Sequence, residues 1–138
     1  MSFIKILGAM ALAAMLLASS ETAWAQSSAP PGGSFQKVSA LVALPDYLPG
    51  MGTLYVDPKT LPAGPFLAYD REGKLVSSIY MIPLKDLEAH KSFDKLGAAK
   101  EKVDHVDLYF NAGHPGVAEP HYHIVVWYVT PAKADSLK

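Results

Sequence analysis

Val103-Asp104-His105-Val106-Asp107-Leu108-Tyr109-Phe110-Asn111 is the stretch on which the fold turns. From Val103 to Asn111 polar and apolar residues alternate. Val106, Leu108 and Phe110 fall on one side; His105, Asp107, Tyr109 and Asn111 fall on the other. A period of two is the signature of a β-strand with two different faces. Nine residues later His121 to Val129 is rich in aromatic and β-branched types, which reads as a second strand. Residues 112–120 then join the two as a loop, and antiparallel pairing sets Tyr109 near His123 and Asn111 near His121.

Working back from that hairpin, Phe66 to Tyr69 and Lys74 to Met81 read as two more strands. Asp70-Arg71-Glu72-Gly73 joins them, with glycine where one left-handed residue is needed. Thr53 to Val56 is a further short strand. Phe35 to Leu44 is apolar without a clear period and fits helix or strand. Pro45 to Gly52 is too heavily punctuated for either. Pro83 to Leu96 reads as the helix, with Pro83 at its first position, Gly97 as its stop, and a break near Ser92. Residues from Thr130 onward read as a polar tail. The expected fold is α+β: an antiparallel sheet with one helical segment.

At the other end, Lys5 precedes an apolar run from Ile6 to Ala18, and Ala23-Trp24-Ala25 is a small-x-small cleavage pattern. Residues 1–25 are expected to be a secretory signal peptide, removed after export to the periplasm. The run is too short for a spanning helix, which needs about twenty residues. Residues 26–34 (QSSAPPGGS) read as a disordered lead-in, and residues 35–138 as one domain.

The chain has 138 residues, a formal net charge of −1 and no cysteine. That length is one domain. Near-neutral charge argues against nucleic acid as a partner, and no membrane is expected after signal cleavage. Without cysteine there are no disulfides, thiolate sites or cysteine nucleophiles. About a hundred ordered residues bury a modest core, so self-association into a homo-oligomer is expected to supplement it. No serine lies in a G-x-S-x-G elbow, no carboxylate pair stands out, and no phosphate-binding loop is present.

The chemistry concentrates on the last hairpin. Four of the five histidines lie between residues 105 and 123. On a strand His121 and His123 share a face, with Cα atoms about 7 Å apart. His114 in the loop is placed to fold back as a third ligand, with His105 or Asp107 as a further candidate. Neutral imidazoles, one carboxylate at most and an open position suit zinc or copper(II). Tyr109, Asn111 and Glu119 are candidates for contacts around the ligands. Three readings of the cluster stand: a metal site, a metal-free pocket for a small polar ligand, and histidines that only satisfy their surroundings. His90 reads as a surface residue.

Two resemblances follow. Pro115-Gly116-Val117-Ala118-Glu119-Pro120-His121-Tyr122-His123 resembles the first cupin motif, a Pro-Gly turn leading to H-x-H. The spacer is one residue short, the later glutamate is absent, and a second motif has no room in the fifteen residues that remain. That resemblance implies a small metalloenzyme. The second covers about 80 residues: Met51-Gly52-Thr53-Leu54-Tyr55-Val56-Asp57-Pro58, Gly64-Pro65-Phe66, Tyr69-Asp70 with Gly73-Lys74, Met81-Ile82-Pro83-Leu84 with Leu87, and the closing Pro115-Gly116 and Pro120-His121-Tyr122-His123. These resemble a small family of bacterial domains of unknown function. It is typified by a ring-forming thermophile protein controlled by an extracytoplasmic sigma and anti-sigma pair. Leu54 stands where that family carries a histidine, so no ligand role passes to it. The resemblance implies export, β-rich structure and self-assembly, as in a non-catalytic envelope stress protein. It implies no activity, and the sequence leaves binding protein and enzyme both open.

Overall fold

The computed structural model describes residues 27–138; the expected signal peptide lies outside the described residues. Six strands form one open antiparallel sheet: β1 (Gln36–Lys37), β2 (Thr53–Val56), β3 (Phe66–Tyr69), β4 (Leu75–Pro83), β5 (His105–Asn111) and β6 (His121–Trp127). Their order across the sheet is β1-β2-β3-β4-β6-β5, so the last strand enters between β4 and β5. Among the described residues three short α-helices and a 3-10 turn at Pro58–Thr60 accompany them: α1 (Val38–Leu41), α2 (Leu84–Glu88) and α3 (Pro131–Asp135). The fold is α+β. A cupin is a jelly roll of two sheets, whereas this chain makes one open sheet, so the likeness at residues 115–123 is confined to the loop and strand.

Each strand follows from local chemistry. β4 reads Leu-Val-Ser-Ser-Ile-Tyr-Met-Ile-Pro, nearly continuous in apolar residues, and all nine are buried. It is the central strand, covered on both faces, which removes any need for alternation. The β3–β4 hairpin turns at Gly73, whose φ of +76° is the left-handed residue the turn requires. Asp70 Oδ1 accepts from the N–H groups of Glu72 and Lys74 and fixes that turn.

The register places one main core on one face. Val56, Phe66, Ile79 and Val125 follow one another across paired strands, joined by Ala68, Met81 and Trp127. Burying each large side chain is worth about 1.5–3 kcal/mol. His121 and His123 lie on this same face of β6, next to Val125 and Trp127. The opposite face carries a smaller cluster of Leu67, Tyr69 and Leu75 under Ala29, Phe35 and Tyr128. Toward β5 that face is open: Val106, Leu108 and Phe110 are 55%, 65% and 51% exposed.

Three expectations change. The helix read over 83–96 is only Leu84–Glu88. Pro83 belongs to β4, where it pairs with His121, and His90 and Lys95 take positive φ, which ends helical geometry. Leu87 stays 42% exposed, so the segment has no apolar stripe to bury. The polar tail contains α3, capped where Thr130 Oγ1 accepts from the Lys133 N–H, and Leu137 is buried in the main core. The lead-in also has structure: the Leu75 N–H donates to Ser27, Ser28 bridges Lys74, and Pro31 is buried. Among the described residues no helix is long and apolar enough to cross a membrane.

Candidate metal centre

β6 begins at His121, and the β5–β6 register sets Tyr109 opposite His123 and Asn111 opposite His121, as the alternation predicts. His121 is fully buried and His123 is 2% exposed. His114 reaches them through the turn His114-Pro115-Gly116-Val117, closed by paired backbone bonds between His114 and Val117 at 2.9 Å. Proline then glycine, with φ of +88° at Gly116, is the chemistry of a type II turn.

The three imidazoles converge. His121 Nε2 lies 3.1 Å from His114 Nε2 and 2.9 Å from His123 Nε2. Their ligand atoms all fall within 4.8 Å of one another. A tetrahedral zinc with Zn–N of about 2.0–2.1 Å holds its nitrogens about 3.3 Å apart. The triad could therefore hold one metal ion.

The outer nitrogens fix the tautomers. His121 Nδ1 donates to the Glu119 carbonyl at 2.7 Å, and His114 Nδ1 donates to the Pro115 carbonyl at 3.0 Å. A carbonyl only accepts, so in both rings the hydrogen sits on Nδ1 and a neutral ring leaves Nε2 bare. Two bare acceptors 3.1 Å apart repel unless a cation stands between them. His123 Nδ1 meets the Tyr109 hydroxyl at 3.0 Å, leaving its Nε2 directed at the same point. Carbonyl and hydroxyl partners behind the ligating nitrogens are the usual support of a metal-bound histidine. Burial, with His121 and then His114 adjacent, pushes the His123 pKa down to about 4, so the ring is neutral, the form a metal requires. Burial also raises Tyr109, with Asp107 adding to it.

The other candidate residues have different partners. His105 stacks on Trp127 and pairs with Asp104 at 2.8 Å. Asp107 accepts from Trp127 Nε1 at 2.8 Å. Both lie on the same face of β5 as Tyr109, but neither joins the triad. Asn111 accepts from the Gly113 N–H and shapes the loop. Glu119 acts through its backbone on His121, while its side chain pairs with Lys85 at 2.7 Å and ties the loop to α2. His90 is exposed.

Sequence reasoning missed what lies beside the triad. A cavity of about 360 Å³ opens there, walled by α1, by the punctuated segment after it, and by the core face of the sheet. His114, His123 and Asn111 form its polar end. Apolar Leu44, Leu48 and Met51 among the prolines and glycines were the available sign.

No protein-family model matches the chain, and no curated protein does. Among solved structures it is similar to the hypothetical protein TTHB210 from Thermus thermophilus. The two share 46% identity over 69% of this chain and 87% of that one, with a TM-score of 0.62. On that identity and coverage, this chain belongs to the same family as the Thermus hypothetical protein.

Proposed function

We propose that this protein binds zinc or copper(II) through His114, His121 and His123. The observation that carries the reading is the pair of facing Nε2 atoms, 3.1 Å apart, whose outer nitrogens are already committed to carbonyls. A buried polar pocket alone would gain nothing from the facing lone pairs of His114 and His121, because unpaired buried acceptors are costly. Three imidazoles leave one tetrahedral position free. We assign this binding to the periplasm, supported by the leader pattern that ends at Ala25. The test is elemental analysis of the tag-free protein after equilibration with zinc or copper and desalting. Near-stoichiometric metal is expected in the parent and none in His114→Ala, whose half-buried loop position spares the core. Equal metal in both refutes the assignment. No metal in the parent refutes the function.

A second reading, self-association, is favoured by the apolar rib Val106, Leu108 and Phe110 on the edge strand β5. Edge strands with exposed apolar residues are templates for pairing. Leu108→Lys is expected to lower the mass seen by sedimentation equilibrium. An unchanged mass sinks this reading.

A further inference from the structure

We infer that the cavity beside the triad takes the aliphatic chain of a carboxylate whose head ligates the metal held by His114, His121 and His123. This rests on the metal reading above and adds the class of ligand. The cavity, at about 360 Å³, has the size of a small-molecule site, which runs from about 300 Å³ upward. Its walls are apolar: Val42, Leu54, Phe66, Ile79 and Met81 come from four different parts of the chain and share no polar side-chain group. Among the described residues no lysine, arginine, aspartate or glutamate lines it. At the rim Leu41 and Leu61 stand 39% and 47% exposed, so the apolar lining continues to the surface.

One end alone is polar. His114 and His123 enter the cavity there, with Asn111 beside them. His121 lies behind, fully buried. A dication on three neutral imidazoles keeps its full charge against apolar walls, which is unfavourable unless an anion joins it. Zinc accepts carboxylate oxygen as well as imidazole nitrogen. With no lysine or arginine among the described lining residues, an ionised head has the metal as its counter-charge, and the chain behind it has the apolar walls. A wholly polar ligand would leave those walls wet; a wholly apolar one would leave the fourth coordination position unused.

The experiment is calorimetric titration of the zinc-loaded, tag-free protein with butanoate, hexanoate, octanoate and decanoate. Zinc content is measured in the same samples. Affinity is expected to rise about fourfold per methylene until the cavity is filled. Chelated protein is expected to lose octanoate binding while still taking up 1-octanol, which needs only the walls. Leu54→Trp, which fills the cavity from β2, is expected to retain zinc and lose the dependence on chain length; Leu44→Trp serves if the first variant does not fold. Zinc bound with an affinity indifferent to chain length overturns this inference and leaves the metal reading standing. So does a chain-length dependence unchanged in a folded cavity-filled variant. Absence of bound zinc overturns both.

Discussion

Acidification of the metal-free protein should destabilise it, and His123 supplies a measurable part of the loss. His123 is 2% exposed and its pKa is pushed from the ordinary 6.5 down to about 4. The native state therefore holds this proton less tightly than the unfolded chain does. Above pH 6.5 neither state is protonated and the full stability is present. As the pH falls from 6.5 toward 4, the unfolded chain takes up a proton that the native state refuses, and unfolding gains. Each pH unit is worth about 1.4 kcal/mol, so the whole window is worth about 3 kcal/mol. That is a large share of the stability of a domain this size, about 5–15 kcal/mol. The assay is urea unfolding in the presence of chelator, followed by the fluorescence of the buried Trp127, at several pH values between 7 and 4.5. His123→Phe keeps the packing volume and removes the titration. The parent should lose about 3 kcal/mol more than the variant across the window. Parallel losses in the two proteins would refute the reasoning.

Three further outcomes are expected. Ser77 Oγ is buried with no hydrogen-bond partner among the described residues, so Ser77→Ala should leave stability unchanged or raise it by about 1 kcal/mol; a clear loss in thermal unfolding would count against that. Gly116→Ala places a Cβ 3.2 Å from Val42 at a φ of +88°, which should cost about 1–2 kcal/mol and weaken zinc binding as His114 is displaced, both visible in a chelator competition beside a melting curve. Tyr109→Phe removes the hydroxyl on His123 Nδ1 and should weaken zinc binding about tenfold with the fold retained; unchanged affinity would mean that hydroxyl does not orient the ring.

The last hairpin is legible in the sequence because two independent patterns coincide there. Alternation over 103–111 fixes the faces of β5, and the H-x-H spacing puts two imidazoles on one side of β6. The return of His114 is legible as well, since Pro115-Gly116 names its own turn. The segment after β4 misleads because Pro83 serves equally at a helix start and a strand end, and pairing with His121 across the sheet decides between them. No local pattern carries that long-range partner. The cavity is hidden for a related reason. Its outer wall runs over residues 38–61, where prolines and glycines break every period, and only tertiary packing turns those scattered apolar residues inward. In α3 the sign is present, since Thr130-Pro131 is a cap followed by a first-turn proline, and Leu137 shows why the chain needs it: the helix carries that side chain into the core.

The strand order has a consequence for how the chain comes together. β6 enters between β4 and β5, although it follows both in the sequence. Before it docks, β4 is an unprotected edge, and it is the longest strand of the sheet, apolar at seven of its nine positions. β1 to β4 can all be in place and still present that edge to a neighbouring chain, which is the usual opening for misassembly. β5 cannot help, because it reaches the sheet only through β6. The same strand delivers His121 and His123. Sealing the vulnerable edge and gathering the three imidazoles are thus a single event, and a chain caught short of it is at once aggregation-prone and without its histidine cluster.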